Sequence, residues 1–249
     1  MEKESCIVLK HMDKSFGKHQ ILKDINIEVP YGDIYGMLGP SGCGKTTTVK
    51  IIAGISEATS GEVLLLNKRM PDLELMRQVG YMAQSDALYG DLSARENLVF
   101  FGQLYGIKEA ELKERIEEVM EVVNLSQSLD TSVLNFSGGM KRRVSLAMTI
   151  LHRPKVLILD EPTVGIDPLL RKNIWNELYQ MTEKGTTILV TTHVMDEAEK
   201  CTHLSMMREG MLLAKGTPAE IQEQAGAKNL EEAFLYFSGE REEGEEVRL

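Results

Sequence analysis

Residues 34–52 read IYGMLGPSGCGKTTTVKII: an apolar run, a glycine-rich turn, then a threonine-rich segment with apolar spacing. The run Ile34–Leu38 predicts a buried strand, and the pattern over 44–53 predicts a helix. Between them, Gly39-Pro-Ser-Gly-Cys-Gly-Lys45-Thr46 matches G-x-x-x-x-G-K-S/T at every position. Glycines let successive backbone N–H groups turn inward around phosphate oxygens, and the helix start adds a favourable dipole. Gly39, Pro40, Ser41, Gly42, Cys43, Gly44, Lys45, Thr46 and Thr47 therefore form a candidate phosphate site. Lys45 is expected to reach β- and γ-phosphates, and the Thr46 hydroxyl to ligate Mg²⁺. Cys43 fills a variable position where a small side chain fits.

On either side of this unit, short apolar runs alternate with longer helical patterns, which predicts an α/β fold. Ile7–Leu9, Ile25–Val29, Val63–Leu66, Val79–Met82, Val156–Leu159 and Thr187–Val190 read as further strands. The last two are almost uninterruptedly apolar, as parallel strands buried on both faces are. Helices are predicted at 94–105, 110–123, 138–151, 169–183 and 195–200. Ser93 with Glu96, and Thr217 with Glu220, fit capping boxes, and Pro218 suits a first helical position. Residues 85–152 hold several helical patterns and no clear strand, so they read as a helical subdomain inserted into the core. The expected layout is one domain over 1–237, with core 1–84 and 153–237, followed by an acidic tail over 238–249.

Composition narrows the class. The 249-residue chain is 43% hydrophobic and 27% charged, which is ordinary for a globular protein. Its formal net charge of −10 argues against a nucleic-acid coat, which rests on cationic surface. Cys6, Cys43 and Cys201 form no CxxC pair, so a disulfide framework or zinc site is not expected. The opening MEKESCIVLK has no apolar stretch fit for a signal peptide, and no run approaches a membrane span. The 14 methionines are scattered as core filling. His11, His19, His152 and His203 show no metal spacing, and Trp175 reads as core.

A second acidic element follows. Val156-Leu-Ile-Leu-Asp160-Glu161-Pro162 is a strand ending in two carboxylates. A strand through the core delivers its C-terminal residues to the ligand edge of an open sheet. Asp160 is placed to hold Mg²⁺, and Glu161 to polarise an attacking water.

Taken together, these residues resemble the ATP-binding subunits of ABC transporters, from about Ile7 to about Phe237. Gln84 matches the Q-loop glutamine, which the resemblance implies senses Mg²⁺ and the γ-phosphate. Ser137-Gly138-Gly139 matches the centre of the family signature, Gly165-Ile166-Asp167 the D-loop, and His193 the switch histidine. Phe16 stands where an aromatic residue stacks on adenine. The resemblance implies a P-loop NTPase core with an antiparallel β-subdomain and an inserted α-helical subdomain. It also implies ATP and Mg²⁺ as ligands, and head-to-tail pairing of two copies, or of this chain with a similar ATPase chain. Each signature then closes on the nucleotide of the other subunit, with Asp167 at the seam.

Compared with LSGGQ, the stretch NFSGGM places Phe136 for Leu and Met140 for Gln. An aromatic-SGGM signature followed by basic residues looks like the drug and antibiotic exporter branch. The implied partner is an integral-membrane permease, with the subunit at the inner face of the membrane. Leu88, Tyr89 and Phe101 are candidates for facing it, and Lys141, Arg142 and Arg143 read as a solvated or ion-paired helix face. Two other readings keep the ATPase. One is a soluble ABC protein, which the lack of a second such domain or a coiled-coil insertion disfavours. The other is an importer subunit, some of which add a regulatory domain.

Overall fold

The computed structural model describes residues 4–239. Two sheets organise it. A four-stranded antiparallel sheet, in the order β2-β1-β4-β5, comprises β1 (Ser5–Phe16), β2 (His19–Pro30), β4 (Ser60–Leu65) and β5 (Lys68–Arg69). A six-stranded sheet runs β10-β9-β3-β8-β7-β6, from β3 (Ile34–Leu38), β6 (Val79–Met82), β7 (Val156–Asp160), β8 (Thr187–Thr192), β9 (His203–Arg208) and β10 (Met211–Gly216). All neighbours in it are parallel except β9 and β10. Every residue of β3, β7 and β8 is buried, which explains their unbroken apolar character.

Period-two alternation splits β7 between two cores. Leu157 and Leu159 face the helices α4 (Gly138–Ile150) and α5 (Pro168–Glu183). Val156 and Ile158 face α1 (Lys45–Ile52) and the antiparallel sheet. The first core extends into α2 (Ala94–Leu104) and α3 (Glu109–Val122) through Leu98, Leu112, Ile116 and Val119. Trp175 lies in this core, as expected. A third, smaller cluster joins α6 (Met195–Ala198), α7 (Pro218–Ala225) and α8 (Leu230–Ser238) to Leu38, Leu204 and Met206. Among the described residues, no helix is long and apolar enough to cross a membrane.

Strands β3 and β6 keep their predicted limits, and the predicted helices form within one or two residues of theirs, including the one predicted at 195–200. That helix stops at Ala198. The predicted first two strands are each twelve residues long instead, because bulged register shifts let β1 follow both β2 and β4. Both capping boxes form, on Ser93–Glu96 and Thr217–Glu220. Strands β9 and β10 and helix α8 were not foreseen. Ser238 is the last residue of α8, and the acidic-tail reading for 240–249 lies outside the described residues.

Strand register positions the site. Leu38 pairs with Thr192, Asp160 with Thr191, and Met82 with Leu159. The C-terminal ends of β3, β8, β7 and β6 thus form one edge. Residues 39–46, 193, 161 and 84 all leave the sheet there, as ligand-binding residues of open α/β sheets do.

Candidate nucleotide site

The glycine-rich turn folds over the end of β3. Gly44 has φ 110°, a conformation that favours glycine, and a Cβ there would also push on Leu22 Cδ2 at 2.5 Å. Lys45 is buried, and its Nζ donates to the Gly39 carbonyl at 2.6 Å and the Pro40 carbonyl at 3.0 Å. The side chain is thereby folded back over its own loop. Burial pushes the Cys43 thiol pKa up, against the opposing pull of Lys45, so Cys43 is a neutral packing group.

A cleft of about 370 Å³ opens in front of the loop, lined by Phe16, Ile21, Ser41, Gly42, Gly44, Lys45, Thr46, Thr47, Gln84 and Glu161. Phe16 is 57% exposed at its mouth, with Lys14 Nζ 4.7 Å from the ring centroid. A planar ring with one solvent-facing side suits stacking on a base.

At the end of β7 the two carboxylates differ. Asp160 is fully buried, and its Oδ1 accepts from Thr191 Oγ1 at 2.5 Å. Its Oδ2 is buried and without a hydrogen-bond partner. An orphaned carboxylate oxygen is costly unless a further group engages it, and Mg²⁺ favours such hard oxygen donors. Asp160 therefore fits a hard cation such as Mg²⁺, and Thr46 supplies a hydroxyl on the cleft lining. Burial, reinforced by Asp160, pushes the Tyr81 phenol up to about 12, so that hydroxyl is neutral.

Glu161 adopts φ 52°, a left-handed conformation that non-glycine residues seldom take. Its amide donates to the Thr191 carbonyl at 3.2 Å and the Thr191 hydroxyl at 3.0 Å, which holds the turn. The carboxylate Oε1 then lies 3.9 Å from Lys45 Nζ and 3.3 Å from His193 Nδ1.

The structure thus gathers Phe16, Ser41, Gly42, Gly44, Lys45, Thr46, Thr47, Gln84 and Glu161 around one space, with His193 joined to it through Glu161. It does not bring Ser137, Gly138, Gly139 or Asp167 to that cleft lining. Ser137 caps α4, its hydroxyl accepting from the Met140 amide at 3.2 Å, and Gly138 opens the helix into free space. A Cβ on Gly139 would stand 3.0 Å from the Gly165 carbonyl, so the two loops approach closely. The Asp167 carboxylate caps α5 by accepting from the Leu170 amide at 3.0 Å. Of the partner-facing candidates, Tyr89 is exposed, while Leu88 and Phe101 are half-buried against the core.

Two residues carry more than the sequence reading gave them. Arg142 is only 6% exposed, so of its reading as part of a solvated or ion-paired helix face the solvated half fails, while the ion pair forms with Asp86 at 3.7 Å. Its guanidinium donates to the carbonyls of Ala83, Gln84, Asp160 and Glu161. It shares the inward stripe of α4 with Leu146 and Thr149 at i+4 and i+7, a periodicity that marks a buried position. Glu197 was not singled out. Its buried carboxylate accepts from the hydroxyls of Thr163 and, at 2.7 Å, Thr192, with Arg171 Nε 3.7 Å away. It thereby links the segments that follow Glu161 and precede His193.

Residues 22–164 match the family model described as ABC transporter. The chain is 38% identical to "Nod factor export ATP-binding protein I" of Cupriavidus metallidurans, over 87% of this chain and 73% of that protein. It is 36% identical to "Linearmycin resistance ATP-binding protein LnrL" of Bacillus subtilis, over 91% and 76%. It is 37% identical to "Probable multidrug ABC transporter ATP-binding protein YbhF" of Escherichia coli, of whose length it spans 41%. A solved structure described as the ATP binding subunit of an ABC transporter superposes with a TM-score of 0.87 at 29% identity, over 94% of this chain and all of that one. The chain belongs to the ABC transporter family. Its fold is the P-loop NTPase fold of that family's ATP-hydrolysing domains.

Proposed function

We propose that this chain is the ATP-hydrolysing subunit of an ABC exporter. The observation that carries the chemistry is the convergence of Lys45 and His193 on Glu161 beside the glycine-rich loop. Backbone N–H groups of Ser41–Thr46, leading into the start of α1, receive the phosphates. Lys45 leaves the Gly39 and Pro40 carbonyls to bind β- and γ-phosphate oxygens. Phe16 stacks on adenine, and Gln84 orients groups around the γ-phosphate and the metal. Mg²⁺ held by Thr46, Asp160 and Gln84 would neutralise charge on the β- and γ-phosphate oxygens.

Glu161 polarises the attacking water. General-base help of this kind is worth roughly 10²–10⁴-fold in rate. His193, in contact with the same carboxylate, holds the γ-phosphate side of the site.

Ser137 and Gly138 are exposed and Gly139 half-buried at a helix start without a catalytic side chain, suited to an anion brought from outside. In a head-to-tail dimer that anion is the nucleotide of the second subunit, with Asp167 at the seam. ATP shifts the equilibrium toward the closed dimer only by its greater affinity for that state. The difference is passed to an integral-membrane permease, which holds the subunit at the inner face of the membrane. Likeness to relatives named for multidrug transport, Nod factor export and linearmycin resistance supports export of amphiphilic molecules. The single-domain layout, with 85–152 as the inserted helical part, belongs to the same reading.

Affinity purification from detergent-solubilised membranes of the native host tests the transporter role. A stoichiometric polytopic partner is expected. Recovery from the soluble fraction alone would move the assignment to a soluble ABC ATPase.

A further inference from the structure

We propose that Arg142 is a positioning residue that ties the glycine-rich start of α4 to the ends of β6 and β7, transmitting engagement at Ser137–Gly139 to Gln84 and Glu161. The inference rests on the functional reading above and adds a coupling element between the two ATP sites of the dimer.

The geometry is specific. The last paired residues of β6 and β7 are Met82 and Leu159. Beyond them the ladder between these strands stops, and the guanidinium takes its place. Nη1 donates to the Ala83 carbonyl at 2.6 Å and the Gln84 carbonyl at 3.0 Å. Nη2 donates to the Asp160 carbonyl and, at 2.8 Å, to the Glu161 carbonyl. One side chain thus holds the peptide units of the Q-loop glutamine and both terminal carboxylates in a common frame.

Its own anchorage is equally defined. Asp86 Oδ1 lies 3.7 Å from Nη1 and accepts from Ser145 Oγ at 3.0 Å, one turn further along α4. The cation is therefore surrounded by four carbonyls and one carboxylate, all within the protein. Arg142 sits three residues beyond Gly139 on the same rigid helix. A displacement of the α4 start carries the guanidinium with it, and the four carbonyls follow or lose their donors.

The chemistry requires arginine. A planar guanidinium offers donors in a fixed fork that spans two strand ends, whereas a lysine ammonium offers them from one point. Since Ser137–Gly139 face the second subunit's nucleotide in the proposed dimer, Arg142 connects occupancy of that site to the base and sensor of its own. Its effect falls on turnover and not on the phosphate loop.

The test compares the full-length wild type with Arg142→Lys, Arg142→Gln and, as a control, Lys141→Gln. Readouts are melting temperature, affinity for a fluorescent ADP analogue, and the kcat and KM of ATP hydrolysis. Arg142→Lys, which keeps the buried charge, is expected to melt near the wild type and bind the ADP analogue within about twofold, with kcat reduced at least about tenfold. Arg142→Gln should be no more active, and Lys141→Gln should match the wild type. Unchanged turnover in Arg142→Lys overturns the proposal. So does a parallel loss of melting temperature, ADP affinity and rate, which marks a purely structural residue. A wild type that binds the analogue but hydrolyses no ATP overturns the functional reading first, and this proposal with it.

Discussion

Glu161 Oε1 stands 3.3 Å from His193 Nδ1, although the two residues come from different strands and Glu161 holds a left-handed backbone to reach it. The Thr191 backbone and hydroxyl, next to the end of β8, fix that turn. The contact therefore reports how the ends of β7 and β8 bring a carboxylate and an imidazole together, at what we propose is the reacting centre. His193→Ala is expected to lower kcat by roughly 10²-fold. Affinity for ADP should stay near the wild type, which equilibrium binding would check.

In the proposed function Lys45 acts earlier, on binding. With phosphate present, its ammonium exchanges two carbonyl acceptors for anionic oxygens, a charge-assisted bond worth about 1.5–3 kcal/mol. Lys45→Ala should weaken ATP binding by roughly tenfold or more, in contrast to the His193 variant. A titration with a fluorescent ATP analogue separates the two.

Glu197 offers a test of how the switch histidine is held. Replacing it by alanine leaves the Thr163 and Thr192 hydroxyls without their buried acceptor and opens a small cavity. The expected cost is about 2–4 kcal/mol in chemical denaturation. Because Thr192 directly precedes His193, kcat should fall while KM is maintained.

A pH effect follows from His152. Its ring stacks on Tyr105 at 3.7 Å between centroids, and its Nε2 lies 3.2 Å from the Val79 carbonyl. Burial is the main cause of its pKa falling from 6.5 to about 4, with the Val79 contact opposing. The folded state thus binds fewer protons than the unfolded state between those values. Stability is held above pH 6.5 and lost as pH falls toward 4, by roughly 2–3 kcal/mol. His152→Phe keeps the stacking and should flatten this limb, as denaturant midpoints at pH 7.5 and 5 would reveal.

The exposed surface near α2 is the face we propose for the membrane partner. Tyr89, Phe100 and Leu104 are exposed together, with Tyr89 and Phe100 packed edge to face at 5.1 Å. Tyr89→Ala with Leu104→Ala is expected to reduce co-purification of the permease and leave ATP turnover by the isolated subunit unchanged. Pull-down and phosphate release, measured side by side, check both halves.

Much of this site was legible because its groups sit at strand ends. An apolar run followed by GPSGCGKT, or by Asp160 and Glu161, encodes both a buried strand and what it delivers to the sheet edge. Arg142 was missed because three consecutive cations look like solvated surface, and only the helical phase relative to Leu146 and Thr149 turns the middle one inward. The β9–β10 hairpin carried a readable cue in Glu209-Gly210, both at positive φ, yet its strands are short and methionine-rich. Glu197 had no local signal, since its partners Thr163 and Thr192 come from separate loops brought together by the register of β7 and β8. The proposed pairing of Ser137–Gly139 with another subunit's nucleotide came from the family resemblance alone, since the second subunit lies outside this chain.

That last claim is the centre of the account, and the Glu161→Gln variant tests it most directly. With the base removed and binding groups intact, ATP should remain uncleaved between two subunits. Light scattering coupled to gel filtration is predicted to show a monomer without nucleotide and a dimer with ATP and Mg²⁺, with hydrolysis reduced at least about 10²-fold. A Glu161→Gln variant that stays monomeric in ATP, or hydrolyses it at the wild-type rate, would contradict the account.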